Sequence, residues 1–210
     1  MLDKSIPYAE IWMKRAHKNT PIQPLQSDNY SLRSYQAGDE RHWARIETSV
    51  GEFDNEAEAL AYFEKEFMPE QAQLGQRMFF ALDQSGTPVG TATAWKKAKQ
   101  DGTLVPLVHW VAVMPQAQRQ GIARGLVTQV VSVLEAANEP MYLHTQTWSH
   151  AAIKLYQQLG FAIIATDING AENPEYPLAC QVLAEVAQKA RNEEEMLAGK
   201  NPLTFRKTLA

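Results

Sequence analysis

A chain of 210 residues, 45% hydrophobic and 21% charged, can bury a full core, which suits one domain with extensions and excludes disorder as the main state. The formal net charge of −4 leaves no global electrostatic footprint for a nucleic-acid partner. The single cysteine, Cys180, excludes an intramolecular disulfide and a cysteine-cluster zinc site, and the scattered histidines suggest no metal.

Residues 1–28 read as an N-terminal arm. No signal-peptide core opens it, and no apolar run in the chain nears the roughly 20 residues that span a bilayer. A cytoplasmic protein without a membrane partner is therefore expected. Ile6, Tyr8, Ile11 and Trp12 are apolar, and Ile11 and Trp12 are expected to dock on the domain or on a second subunit. The basic run Lys14, Arg15, His17 and Lys18 reads as a solvated face, and Pro21 and Pro24 prevent a long regular element.

The core is expected over residues 29–168. Tyr30 to Tyr35 alternates as a first strand. Trp43, Ile46, Val50 and Phe53 then recur at helical spacing, and a second helix runs from about Glu56 with Ala57, Leu60, Phe63 and Phe67 inward. Gly51 to Asn55, between these helices, carries two carboxylates beside an aromatic and reads as a cleft rim or a solvated turn. Arg77 to Leu82 and Pro88 to Trp95 flank a turn as a β-hairpin, and Thr103 to Met114 follows as a strand. A helix begins near Ile122, with Leu126, Val130 and Leu134 on one face. Met141 to Thr147 is a strand, and Ser149 can cap the helix carrying Ala152, Leu155, Tyr156 and Leu159, which Gly160 ends. Phe161 to Thr166 returns as a strand. Residues 169–210 then read as a loop, a helix over 178–196 with Leu178, Val182, Val186 and Ala190 on one face, and a last strand over 203–209. This order predicts an α/β domain: a mixed, mostly antiparallel sheet of six to seven strands with helices on both faces.

Chemistry concentrates between Val113 and Arg124. Pro115 cannot donate a ladder hydrogen bond, so the strand stops there. The turn Gln118-Arg119-Gln120-Gly121-Ile122-Ala123 then feeds a helix whose first amides have no intrahelical acceptor and whose dipole favours an anion. That dipole contributes only about 0.3–2 kcal/mol, so a pyrophosphate needs several aligned amides, with Arg119 or Arg124 adding charge-assisted contacts. No Gly-Lys-Ser/Thr follows, so this is not a Walker A loop, and the dinucleotide fingerprint is absent.

Val113, Pro115, Gln118, Gly121 and Ala123 match the coenzyme A signature of the GNAT N-acetyltransferases. A second stretch, Ala152-x-x-Leu155-Tyr156 followed by Leu159-Gly160-Phe161, resembles that family's second motif. The resemblance spans roughly Ser31 to Thr166. It departs at Ser149, where the family has asparagine, at Arg119, where it usually has glycine, and at Ala123, its final glycine.

The resemblance implies acetyl-CoA as co-substrate, with the Ala112 and Val113 backbone meeting pantetheine in the gap between two splayed strands. It puts the pyrophosphate on the turn from Gln118 through Arg119, Gln120, Gly121, Ile122 and Ala123 to Arg124, with Ser149 and Tyr156 also touching the coenzyme. It further implies direct attack of an amine acceptor on the thioester, with Tyr156 as acid for the leaving thiolate and an amide near Val113 as oxyanion donor. His109 is the expected base, because imidazole titrates near working pH and the family's arylalkylamine members use a strand histidine. Glu47 and Glu52 are rival bases, and a water relay is a further route. Trp110, His144 and Gln146 are acceptor-side candidates, and Trp95 and Trp148 are further aromatic walls. A homodimer is compatible with the resemblance. A non-catalytic coenzyme A sensor and a transferase of another acyl group remain alternatives.

Overall fold

β-Branched and aromatic runs pair into one seven-stranded sheet with the order β2-β3-β4-β5-β6-β1-β7. A computed structural model describes residues 2–17, 22 and 27–199, with side chains to residue 196. The strands are β1 (Glu10–Arg15), β2 (Ser31–Ser34), β3 (Met78–Leu82), β4 (Pro88–Ala98), β5 (Leu104–Val113), β6 (Met141–Gln146) and β7 (Ala162–Ile164). Every neighbouring pair is antiparallel except β5–β6. The expected 203–209 strand lies outside the described residues.

The helices are α1 (Glu40–Val50), α2 (Glu56–Glu66), α3 (Gln71–Arg77), α4 (Ile122–Leu134), α5 (His150–Gln158) and α6 (Tyr176–Gly199). One face of the sheet packs on α4 through Ile122, Leu126, Val127, Val130 and Val131, with Ile153 and Tyr156 of α5 in the same cluster. The other packs on α1 and α2 through Trp43, Ile46, Val50 and Phe63. Two glycines set the depth of α4. A Cβ on Gly90 of β4 would sit 3.1 Å from both Ala112 O and Leu126 Cδ1, and one on Gly125 would collide with the Tyr30 ring.

Two expectations about the N-terminus need correction. Residues 10–15 are not an arm outside the core: β1 fills the position between β6 and β7, pairing Trp12 with both His144 and Ile164. Nor is Arg15 solvated. It is 1% exposed and pairs with Glu135 Oε1 at 2.6 Å, while its Nε donates to Leu159 O at 3.0 Å. At the other end, the buried stripe of α6 runs through Ala179 and Val182, with Leu178 exposed and Ala190 in solvent, so the helix sits rotated from the expected face.

Two irregularities open the sheet. The parallel pairing of β5 with β6 is limited to Leu107↔Tyr142 and Val108↔Leu143, so the strands part beyond Val108. On the other side of β5, Thr91 pairs with Ala112 and Thr93 with His109, leaving Trp110 and Val111 together opposite Ala92. This is a β-bulge, and Trp110 takes a φ of +46° within it. Bulges bend and twist the strand that carries them, here at the point where β5 leaves β6.

Candidate active site

The gap between β5 and β6 holds a cavity of about 530 Å³. Val111, Ala112 and Val113 form one wall. Trp148 to Ala152, Leu155 and Tyr156 form the other, and the α4 turn (Gln118, Arg119, Gly121 to Arg124) closes one end. Leu2, Val50 and Glu52 stand at the opposite end. The cavity thus joins the electropositive start of α4 to the Glu52 carboxylate.

The turn is built by three local devices. The Gln118 side-chain amide donates to Val113 O at 2.9 Å, tying the turn to the end of β5. Arg119 and Gly121 both take left-handed backbone, with φ of +65° and +82°. A Cβ at Gly121 would meet nothing within 4 Å, so the glycine is required by this backbone conformation and not by crowding. The first residues of α4, whose amides have no intrahelical acceptor, line the cavity. The Arg124 guanidinium donates a hydrogen bond to Gln158 Oε1, linking α4 to α5. Gln120, expected beside the pyrophosphate, lines a separate surface cavity with Asn29, Arg45 and Gln116.

Tyr156 is buried against the cavity, and its phenol is held protonated far above ordinary working pH, by burial first and by Glu47 and Glu52 next. Ser149 lines the cavity and precedes α5, but its side chain makes no capping hydrogen bond; a tight turn over Thr147–Ser149 leads into the helix instead.

The structure does not bring His109 to the cavity lining. In an unbroken strand His109 and Val113 would share a face, but the bulge shifts the alternation by one. Ala112, not Val113, shares the side of His109, as their partners Thr93 and Thr91 do. The imidazole packs beside Phe67 and Trp110, with centroids 6.2 and 5.6 Å away. Burial, then Lys97 and His144, depress its pKa to about 3.

The two glutamates lie nearer Tyr156, on whose phenol both act. Glu52 lines the cavity end, and desolvation raises its pKa despite a hydrogen bond from Gln146 and the nearby Lys4 ammonium. Glu47 is 1% exposed on α1, and its Oε1 has no hydrogen-bond partner among the described residues. Burial, then repulsion from Glu52, raises its pKa well above the carboxylate range. Trp43, Ile46, Glu47 and Val50 fall at i, i+3, i+4 and i+7, so the helical period itself marks Glu47 as a carboxylate on a buried stripe.

Of the acceptor-side candidates, Gln146 contacts Glu52. His144 stacks on Trp12 at 4.5 Å and lies 3.5 Å from Glu10, outside the cavity lining. Trp110 sits among Trp43, Phe53 and Tyr62, with centroids 5.0–5.4 Å away. Trp95 is buried against Phe67. Trp148 alone of the three tryptophans lines the cavity. Sequence reasoning missed Leu2 and His150 as lining residues and read Val50 only as an apolar helix position; Leu2 arrives here because the long-range pairing of β1 places the N-terminus.

Among the described residues no group of acidic, histidine or cysteine side chains is arranged to hold a metal, and no helix is long and apolar enough to cross a membrane. No sequence among the curated proteins matches the chain. Its fold is similar to a GCN5-related N-acetyltransferase from Sphaerobacter thermophilus, at a TM-score of 0.58 and 20% identity over 75% of this chain. The chain spans about half of that protein, 49% of its length. It is also similar to Arabidopsis thaliana Naa50, solved with the bisubstrate analogue CoA-Ac-MVNAL (TM-score 0.53, 20% identity, 70% of this chain and 93% of that one). A third similar fold is the aminoglycoside N-acetyltransferase AAC(6')-Iy in complex with CoA (TM-score 0.51, 19% identity, 65% of this chain and 90% of that one). Residues 40–161, more than half of the sequence and all of the cavity walls except the N-terminal residue Leu2, match the profile of the Acetyltransferase (GNAT) family. The chain belongs to that family.

Proposed function

We propose that this protein transfers an acetyl group from acetyl-CoA to an amine acceptor by direct attack in a ternary complex. One observation carries the reading: a single cleft joins the free amides of α4 to Tyr156 and Glu52, so a coenzyme anchored by its pyrophosphate at one end presents its thioester toward the other. The Ala112 and Val113 backbone borders the pantetheine arm, and an amide there polarises the thioester carbonyl.

The acceptor must lose a proton to attack. For an alkylamine of pKa about 10.4, deprotonation at neutral pH costs roughly 4–5 kcal/mol. Glu52 takes that proton, directly or through water, and its raised pKa narrows the mismatch with the amine. Glu47, fully buried nearby, stays protonated instead, held so by burial and then by repulsion from Glu52. The nitrogen lone pair forms the C–N bond, the tetrahedral intermediate collapses with cleavage of C–S, and Tyr156 protonates the departing thiolate. His109 takes no part: it is away from the cavity and too weakly basic.

The test is thiol release from acetyl-CoA in the presence of a panel of primary amines. Amine-dependent release that Tyr156→Phe lowers about 10²- to 10⁴-fold in kcat supports the assignment. An unchanged turnover in that variant removes Tyr156 from the mechanism. No amine-dependent release from a protein that binds acetyl-CoA supports a non-catalytic coenzyme A-binding role instead.

A further inference from the structure

The N-terminal segment crosses the end of the cleft that faces away from α4. Leu2 N donates to Val50 O at 3.4 Å and Asp3 N to Trp148 O at 2.9 Å, while the Trp148 indole Nε1 donates to Ile6 O at 2.9 Å. This strap carries Lys4 to a defined place. Its ammonium donates to Gly51 O at 3.1 Å, sits 5.5 Å from the centroid of the Trp148 ring, and acts electrostatically on Glu52. Carbonyl oxygen, indole face and carboxylate are three groups that each favour a cation, and they meet from two segments, the turn after α1 and the turn between β6 and α5.

Two of the three, Glu52 and Trp148, also line the cleft. The Tyr8 ring stands edge-on to Trp148 at 5.0 Å, and Glu10 and Glu175 act on its phenol together with Glu52, extending the negative field outward. Lys4 is held loosely. Its hydrogen bond to Gly51 O is solvent-exposed, and such contacts contribute at most about 1 kcal/mol. A cation arriving at this end can therefore replace it.

We propose that Gly51 O, the Trp148 indole and the Glu52 carboxylate form a cation subsite that reads the acceptor as an alkylammonium, and that Lys4 occupies this subsite in the free protein as an internal competitor. This rests on the acetyltransferase reading and narrows it: neutral arylamines and hydroxyl acceptors gain nothing from these three groups, whereas an amine that enters protonated does. The proton it must then lose lies beside the carboxylate that takes it.

The test titrates n-butylammonium into the full chain saturated with coenzyme A, followed by NMR at the Trp148 indole N–H, with butan-1-ol as the neutral probe. Lys4→Gln keeps a donor for Gly51 O but removes the charge. It should bind n-butylammonium about three- to tenfold more tightly than wild type. Lys4→Arg, which restores the charge, should return to the wild-type affinity, and Lys4→Gln/Glu52→Gln should lose the gain. Butan-1-ol should show no dependence on residue 4. Equal n-butylammonium affinity in wild type and Lys4→Gln overturns the proposal, as does a gain shared by butan-1-ol. Calorimetry of acetyl-CoA on the same samples separates the two levels: if the coenzyme binds and the ammonium gain is absent, the subsite fails while the acetyltransferase reading stands.

Discussion

Replacing Glu52 by glutamine removes the proposed base while keeping size and polarity. The amine and an ordinary carboxylate, of pKa about 10.4 and 4.3, differ by about 6 units, or roughly 8 kcal/mol of uphill proton transfer. Every unit by which the cleft raises Glu52 removes about 1.4 kcal/mol of that gap. Desolvation is the main cause of the raised pKa, with Gln146 and Lys4 opposing it. Glu52→Gln should therefore lower kcat/KM about 10²- to 10⁴-fold, the usual contribution of a positioned general base. The pH dependence identifies the group more sharply. In wild type, kcat/KM should rise with pH as Glu52 ionises, giving an acidic limb displaced above the ordinary carboxylate range. The limb should vanish in Glu52→Gln and persist in His109→Gln, because an imidazole of pKa about 3 is already neutral throughout the assay range. Steady-state kinetics from pH 5 to 9 on the three proteins provides the readout. Retention of the limb in Glu52→Gln, or its loss in His109→Gln, would refute the assignment.

Two further outcomes follow from buried charges. Arg15→Met leaves Glu135 buried and unpaired, which should cost about 3–5 kcal/mol and lower Tm, and thermal unfolding that matches wild type would show that β1 is not anchored by this pair. Glu47→Gln should stabilise the fold, and more at pH 8 than at pH 5. A carboxyl whose folded pKa is raised binds more protons than in the unfolded chain, so its contribution is favourable at low pH and is lost as pH rises through the folded value. A melting temperature that gains more at pH 5 than at pH 8 would contradict that sign.

Much of the core was legible because it is locally encoded. The helical period of Ile122, Leu126 and Val130 reports the face of α4 that is buried on the sheet, and Pro115 marks the end of β5. The turn at Gly121 was legible as well, and the left-handed backbone there calls for glycine in its own right. β1 was not legible as part of the sheet. Six residues gain their strand identity from partners such as His144 and Ile164, more than a hundred positions away, and Arg15 reads as a surface residue until Glu135 is placed beside it. The bulge was invisible for a related reason: Trp110 carries no compositional sign that it takes positive φ, and without the bulge the strand alternation points His109 the wrong way. Glu47 was half legible, since its helical spacing gives burial and only the packed neighbours give its environment.

The central claim is that the β5–β6 cleft holds the coenzyme through the first turn of α4. Calorimetric titration of acetyl-CoA and free coenzyme A into the wild-type chain and Gly121→Glu tests it most directly. The substitution puts a strained side chain and a negative charge where φ is +82° and the pyrophosphate is to bind. Micromolar binding of both ligands by wild type, abolished in a folded Gly121→Glu protein, is the predicted result. No binding by wild type, or undiminished binding by Gly121→Glu, would contradict the claim and remove the basis for Tyr156 and Glu52 as catalytic groups.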